Sequence, residues 1–236
     1  MINIYLRFKL LVLTSEIERY YNNLAADYNE LRFSNSYGEF IHVQETDVLA
    51  KYIGFQKGAV NLDLACGTGR FLDYATYGLD FSTEMLKVAK QKFPDKKFVL
   101  GNAKSIPIAS EYFDNVICFH LMMHLDMTGF QAVLNEALRV VKREGYFVFD
   151  VPSKRRRHIS KRKADTWHGS NSMSKKELLA MTAGKWEFVD YHGTIFFPIH
   201  RVPKFFRRYL VELDSYFCRS FLKEYSSHLI FILKRI

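Results

Sequence analysis

The chain has 236 residues, of which 48% are hydrophobic and 25% are charged. This composition is typical of a soluble globular protein with one sizeable core, and the length excludes two large domains. Its three cysteines are too few for a disulfide framework, which favours a cytoplasmic protein over one from an oxidising compartment.

The first thirteen residues are apolar but are interrupted by Arg7 and Lys9 and contain no small-residue cleavage site. The segment is therefore predicted to be neither a signal peptide nor a membrane span. Ser15 and Glu18 form a capping box for a helix whose apolar and aromatic residues recur at helical spacing as far as Leu31.

A second helical pattern runs from Ile41 to Tyr52 and ends at Gly54, a suitable C-cap. Strands and helices then alternate, which predicts a parallel sheet with helices on both faces. The predicted elements are strand 59–64, helix 69–75, strand 77–80, helix 83–92, strand 96–100, strand 113–119, helix 129–141 and strand 145–151.

The pattern changes after Pro152. The net charge of +9 is concentrated in residues 154–163, where seven of ten residues are Lys or Arg and none is acidic. Such a run either attracts phosphate, anionic lipid or an acidic substrate, or is a solvated, disordered loop. A helix from Ser174 to about 183, strand 186–197, one or two basic aromatic helices over 201–223 and strand 227–234 complete the prediction.

The most informative segment is the turn after strand 59–64. Asp63 lies near the end of that strand, and Gly67 and Gly69 leave the following backbone free of side chains, so that a ligand can approach main-chain N–H groups. Asp80, at the end of the next strand, can accept hydrogen bonds from both hydroxyls of a ribose. These residues predict a site for a nucleoside-containing cofactor.

Two familiar nucleotide motifs do not fit this turn. A dinucleotide fingerprint needs a third glycine three residues after Gly69, and Leu72 stands there. A phosphate-binding P-loop needs a Gly-Lys-Ser or Gly-Lys-Thr ending, which is absent. Residues 63–69 instead read Asp-Leu-Ala-Cys-Gly-Thr-Gly, an acidic-x-Gly-x-Gly-x-Gly pattern with Ala65 in the first glycine position.

Through this pattern the chain resembles the class I S-adenosylmethionine-dependent methyltransferases. Three further matches follow in order: Asp80 at the end of the second strand, residues 101–103 (Gly-Asn-Ala) after the third, and residues 112–120 as the fourth-strand motif. His124 then lies in a loop resembling one common in small-molecule members. The order of these matches makes the resemblance specific over about 20–150.

The resemblance implies a Rossmann-like, doubly wound, mostly parallel seven-stranded sheet that ends in an antiparallel pair, strands 186–197 and 227–234. It further implies a single domain, with N-terminal capping helices in 1–54, a cofactor-binding core in 55–152, and a helical substrate lid plus the terminal strands in 153–236. It also implies the cofactor, S-adenosyl-L-methionine.

Carried over position by position, the resemblance assigns roles to named residues. Tyr21, Tyr28 or Arg32 would hold the methionine carboxylate, Phe81 and Met85 would cover the adenine, and Asn102 would accept from the adenine amino group. The full cofactor-binding set is Tyr21, Tyr28, Arg32, Asp63, Ala65, Gly67, Thr68, Gly69, Asp80, Phe81, Met85, Asn102, Ala103 and Phe119.

His124 is the candidate general base, because a histidine titrates in the useful range and the resemblance places it beside the donor methyl. His120 and His124 also have the spacing of two metal ligands on a helix, but no third ligand is near in sequence, so no metal is predicted. Each of these side chains has an alternative interpretation as a packing residue.

Three functions remain open. The favoured one is methyl transfer to a small-molecule acceptor of anionic or lipid-like character. A nucleic-acid methyltransferase using the basic run 154–163 is the alternative, although the fourth-strand segment lacks the Asn/Asp-Pro-Pro-Tyr type of motif that holds a flipped base. A catalytically silent cofactor-binding protein is the third.

Overall fold

A seven-stranded sheet organises the fold in the computed structural model of the chain, which describes residues 16–54, 58–160 and 171–236. The strands lie in the order β3-β2-β1-β4-β5-β7-β6. Their bounds are β1 Asn61–Leu64, β2 Tyr77–Asp80, β3 Lys97–Leu100, β4 Phe113–Cys118, β5 Val141–Pro152, β6 Trp186–Thr194 and β7 His228–Arg235.

The first five strands are parallel, and β7 runs antiparallel between β5 and β6. The predicted Rossmann-like, mostly parallel sheet with a terminal antiparallel pair is thereby confirmed. Because the strand order reverses between β1 and β4, the crevice at their carboxyl ends is the place where an open sheet of this kind binds ligands.

Helices cover both faces of this sheet. Alternate residues of a strand point to opposite faces, and in β5 Phe147 and Phe149 join one buried cluster while Val148 joins the other. The helices are α1 (residues 16–24), α2 Tyr28–Arg32, α3 Ser36–Tyr52, α4 Thr83–Lys92, α5 Met127–Val140, α6 Lys154–Ser160, α7 Lys175–Thr182 and α8 Lys204–Arg219.

The predicted helix 69–75 is wrong. Residues 67–74 form successive turns in which N–H groups bond three residues back, as from Leu72 to Gly69 and from Tyr74 to Phe71. Helix nucleation is costly, and the connection from β1 to its parallel neighbour β2 is only twelve residues long. The side-chain amide of Asn61 binds the Tyr74 carbonyl instead, at 3.0 Å.

The N-terminal helical pattern is broken into two helices. Its predicted capping residue, Ser15, lies outside the described residues, and a turn at 25–27 separates α1 from α2. Residues seven apart in a straight helix are about 10 Å apart along its axis, whereas the rings of Tyr21 and Tyr28 have centroids 6.3 Å apart. The break thus brings two aromatic rings together.

The C-terminal third follows the predicted order. Lys154–Ser160 of the basic run is helical, and its residues 161–163 lie outside the described part. Helix α8 packs on α3 and β6. Within the described ranges, none of the helices combines the length and apolar character needed to cross a bilayer.

Candidate functional site

A pocket opens at the carboxyl ends of β1, β2, β3 and β4, and we call it the strand-end pocket. The loops after these four strands supply most of its wall, and α1 and α2 close one side. Its lining residues are Ile17, Tyr21, Tyr28, Ala65, Gly67, Leu79, Asp80, Phe81, Met85, Gly101, Asn102, Ala103, Lys104, Phe119, His120, Leu121, His124 and Leu125.

The turn after β1, residues 65–69, is the glycine loop, and its two glycines serve different purposes. Gly67 has φ +52°, and a Cβ placed on it would meet no atom within 4 Å, so its backbone faces open space. Gly69 has φ +88°, a value that favours glycine, and a Cβ on it would lie 2.8 Å from the Leu72 side chain and 3.1 Å from the Phe93 ring. Ala65, in the first glycine position, also has a left-handed φ of +62°.

Asp80 is buried in the wall of the pocket, and both of its carboxylate oxygens already accept backbone hydrogen bonds. One accepts from the Gly67 N–H at 2.8 Å and the other from the Ser82 N–H at 2.9 Å. Burial raises the pKa of Asp80 to about 6 in spite of these bonds. Each carboxylate oxygen can take a second donor, so the group fixes the glycine loop and can still receive a diol.

Asp63 is a buried carboxylate next to this loop. It is only 2% exposed, and its Oδ2 has no hydrogen-bond partner among the described residues. Burial raises the pKa of Asp63 to about 7; the nearby Arg70 acts in the opposite direction and Asp80 adds to the increase. Since an unpaired buried charge is costly, the position favours a cationic group of a ligand.

Aromatic rings form the side of the pocket that α1 and α2 contribute. The Tyr21 ring meets the Phe81 ring edge to face at 6.0 Å, and the Tyr28 ring meets Phe33 at 5.8 Å. Burial raises the pKa of both tyrosines, so their hydroxyls are neutral. This wall would exclude water from a bound ligand.

Two asparagines that sequence reasoning missed fasten α1 and α2 over the pocket. The Ser82 hydroxyl donates to the Asn22 side chain at 2.6 Å, and the Thr68 hydroxyl donates to Asn29 at 2.6 Å. Asn22 and Asn29 are seven residues apart, so they recur every two helical turns. That polar repeat within an apolar pattern is the signal that could have identified them.

Asn102 and its neighbours form the wall after β3. The Asn102 side-chain oxygen accepts from the Lys104 N–H at 2.9 Å, in a local turn. Ala103 lines the pocket beside it, while Met85 and Phe119 close the pocket from the buried side. An amide oxygen has two lone pairs, so Asn102 keeps the capacity to accept from an amino group.

His120 and His124 both reach the pocket, and sequence analysis gave weight only to the second. His124 is the last residue of a short 3₁₀ turn, Met122–His124, and is half-buried. His120 has φ +60°, a strained value for a side chain with a Cβ, and its N–H donates to Asp150 Oδ1 at 2.5 Å.

A buried charge network surrounds His120. Glu45 Oε1 lies 2.8 Å from His120 Nε2, and Glu45 Oε2 accepts from Arg70 at 2.6 Å. Burial alone would raise the pKa of Glu45, but Arg70 and His120 lower it to about 2. Burial alone would lower the pKa of His120, but Glu45 and Asp150 outweigh burial and raise it. The network therefore favours the protonated form of His120, which disfavours its use as a base.

The structure brings most of the predicted residues together. In the wall of the strand-end pocket lie Tyr21, Tyr28, Ala65, Gly67, Asp80, Phe81, Met85, Asn102, Ala103, Phe119 and His124. Outside the wall lie Asp63, Thr68 and Gly69, which are buried or packed beneath it, and Arg32, an exposed residue that donates to the Tyr20 hydroxyl at 3.3 Å.

Comparison with known proteins identifies a methyltransferase domain in the core of the chain. Residues 62–149 match the family model described as a methyltransferase domain. An uncharacterised protein of Methanocaldococcus jannaschii is 29% identical over 93% of this chain and 91% of its own. A demethylmenaquinone methyltransferase of Geobacillus stearothermophilus is 31% identical, and the match spans 56% of this chain and 61% of that enzyme.

Among solved structures, an S-adenosylmethionine-dependent methyltransferase of Thermotoga maritima superposes with a TM-score of 0.65. The identity is 16%, and the superposition covers 92% of this chain and 98% of that one. At that identity the likeness concerns the fold. Residues 62–149 are therefore a methyltransferase domain, and the sheet order and the glycine loop beside Asp80 agree with the fold of S-adenosylmethionine-dependent methyltransferases.

Proposed function

We propose that the chain methylates an apolar, ring-bearing small molecule that enters the strand-end pocket. The observation that carries the proposal is the meeting of Asp80, the open Gly67 backbone and an aromatic wall in one pocket. Small-molecule sites are concave and mostly apolar, with few polar groups that fix orientation, and this pocket has that character.

The residues present fit S-adenosylmethionine. Asp63, beneath the glycine loop and with an unpartnered Oδ2, would attract the ammonium of the methionine moiety by its charge, and Asp80 in the pocket wall would receive the ribose hydroxyls. Phe81 and Met85 provide apolar surface for the adenine, and Asn102 provides an acceptor for its amino group. When bound, the cofactor supplies a sulfonium-activated methyl group ready for in-line displacement.

His124 is the residue that we propose as proton acceptor for a hydroxyl or phenol on the acceptor. It lines the pocket on the loop after β4, whereas Glu45 and Asp150 raise the pKa of His120 and favour its protonated form. A general base of this kind contributes about 10²- to 10⁴-fold to a rate. The Tyr21 and Tyr28 rings exclude competing water.

Two observations support the proposed class of methyl acceptor. The wall is rich in aromatic and aliphatic side chains, and several curated relatives, the Geobacillus enzyme among them, are demethylmenaquinone methyltransferases. A demethylated hydroquinone is therefore the first acceptor to test. In the strand-end pocket, the ring of such an acceptor would lie against the aromatic wall with its hydroxyl towards His124.

The alternative, nucleic-acid methylation, finds less support in the basic helix α6. Its Lys154 pairs with Glu177, Arg155 pairs with Glu224, and Arg156 donates to the Tyr225 carbonyl. These contacts occupy cations that phosphate would need. A mobility shift of RNA or DNA at low salt that weakens with added salt would support the alternative against the proposal.

The test measures S-adenosylhomocysteine release with demethylated hydroquinones in detergent, for the wild type and for His124→Asn. We expect His124→Asn to lower kcat about 100-fold while the cofactor Kd stays within about twofold. His200→Asn, an exposed histidine outside the pocket wall, is the matched control and should leave kcat unchanged. Equal kcat in wild type and His124→Asn would refute the assignment of the base.

A further inference from the structure

Helix α8 turns a row of large apolar side chains towards solvent. These residues follow one another at intervals of four, four and three along the helix, so they form one stripe, with Phe206 beside it. We call them the aromatic stripe; with their exposed fractions they are Phe205 (64%), Phe206 (49%), Tyr209 (64%), Leu213 (47%) and Tyr216 (68%). The rings of Phe205 and Phe206 touch, with centroids 3.8 Å apart.

The opposite side of α8 is fixed by a carboxylate. Asp214 is fully buried, and its oxygens accept from Gln44 Nε2 at 2.7 Å and from the N–H groups of Phe196 at 3.1 Å and Phe197 at 2.7 Å. Rotating the helix to bury the aromatic stripe would break all three bonds and expose unpaired polar groups. The outward direction of the stripe is therefore built into the fold.

A row of basic side chains lies alongside on the same exposed side. Lys204 and Arg208 project at neighbouring angles around the helix, with Glu212 as the acidic residue nearby, and we call these two cations the basic stripe, whereas Arg219 at the helix end pairs with Asp47 at 2.9 Å. Arg208 stacks on Tyr209 at 4.6 Å, so the two stripes are in contact.

Apolar and basic stripes side by side on an exposed helix are typical of helices that lie on a membrane surface. A contiguous exposed apolar patch marks an interaction surface, and aromatic rings beside Lys and Arg suit the boundary between lipid headgroups and acyl chains. A second copy of this chain is a poorer occupant, because a two-fold contact would set like basic stripes against each other in a protein of net charge +9.

We propose that the outward face of α8, the aromatic stripe with the basic stripe, docks this protein on an anionic bilayer surface. The rings would enter the interface and the cations would contact lipid phosphates. This proposal does not depend on the acceptor proposed above.

The test is sedimentation of the full chain with sucrose-loaded vesicles of phosphatidylcholine, alone or with 30 mol% phosphatidylglycerol (about one anionic lipid in three). We expect binding to the anionic vesicles that weakens in high salt, and little binding to phosphatidylcholine alone. The triple variant Phe205→Ser/Tyr209→Ser/Tyr216→Ser should bind about tenfold more weakly or worse. Lys204→Glu with Arg208→Glu should lose about fivefold or more per residue.

Tyr112→Ala is the matched control, since this exposed aromatic residue precedes β4, the central strand of the sheet, and packs against Tyr77. Its binding should equal that of the wild type, and thermal melting should show each variant folded. In Tyr209→Trp, anionic vesicles should shift the indole emission to the blue.

Three results would overturn the proposal. The first is equal binding of the triple variant and the wild type. The second is a Tyr209→Trp emission already blue-shifted without lipid, which would mean that the chain itself covers the stripe. The third is lipid-free self-association that the triple variant abolishes, which would make a second copy the occupant.

Discussion

Replacing Asp63 with asparagine should stabilise the cofactor-free protein and weaken cofactor binding. In the folded chain the pKa of Asp63 is about 7, against 3.8 for the ordinary group. At about 1.4 kcal/mol per pKa unit, ionising this carboxylate costs the fold about 4 kcal/mol at pH 8. An asparagine removes that penalty but leaves amide hydrogens without partners, at a cost of about 1–3 kcal/mol.

The net gain of Asp63→Asn at pH 8 is thus about 1–3 kcal/mol in the free energy of unfolding. Because the folded pKa is raised, the penalty is absent below about pH 4 and grows as the pH rises towards 7. At pH 5 it amounts to only about 2 kcal/mol, so the advantage of the variant should shrink by about 2 kcal/mol between pH 8 and pH 5.

Urea denaturation at pH 8 and pH 5 measures this difference, and calorimetry with S-adenosylhomocysteine measures binding. Asp73→Asn, an exposed carboxylate on the same connection between β1 and β2, is the matched control and should change neither quantity. Two results would refute the assignment of Asp63 as an unpaired buried charge that a ligand cation would compensate. One is a variant that is less stable than the wild type at pH 8, and the other is a stability difference that does not vary with pH.

Three further substitutions test the surroundings of the pocket, each by urea denaturation. Ala65→Gly should stabilise by about 0.5–1 kcal/mol, because it relieves a left-handed φ worth about 1–2 kcal/mol and loses part of that as chain entropy; a loss of stability would contradict the strained turn. Glu45→Gln should lower the free energy of unfolding by about 3 kcal/mol at pH 7, because it leaves Arg70 unpaired. Since the pKa of the Glu45 carboxyl is lowered to about 2, this difference should fade as the pH falls from about 4.5 towards 2. A loss of less than about 1 kcal/mol would show that the network contributes little to stability. Gly78→Ala should cost about 1–3 kcal/mol, because its Cβ would lie 2.8 Å from the Cys66 sulfur; a neutral result would mean that the sulfur moves freely.

Local patterns were sufficient to predict the strands and the parallel part of the sheet, whereas the terminal antiparallel pair was predicted from the family resemblance. Each strand carries its own apolar run, and turn signals separate the runs, so the order of elements follows from the chain alone. Gly67 and Asp80 could be predicted for the same reason, because Gly67 lies in the turn after β1 and Asp80 is the last residue of β2. The connection 69–75 could not, since its apolar Phe71 and Leu72 are buried without helical hydrogen bonds.

Long-range polar contacts escaped sequence analysis. Glu45 and His120 are 75 residues apart and meet only because α3 crosses the end of β4. The orientation of α8 could not be predicted from the sequence either. The helical spacing of Phe206 and Leu213 is typical of a buried face, but the hydrogen bonds of the buried Asp214 carboxylate turn that face towards solvent. The periodicity of apolar residues shows that a helix has an apolar face, but it does not show which face a distant polar residue holds against the core.

The central claim is that Asp80 receives the sugar of the cofactor in the strand-end pocket. Calorimetry of S-adenosylhomocysteine binding to the wild type and to Asp80→Ala tests it most directly, with thermal melting to show that the variant is folded. We predict that the variant binds about tenfold more weakly or worse, the loss expected when charge-assisted hydrogen bonds are removed. An unchanged Kd in a folded variant would contradict the claim and place the nucleoside elsewhere.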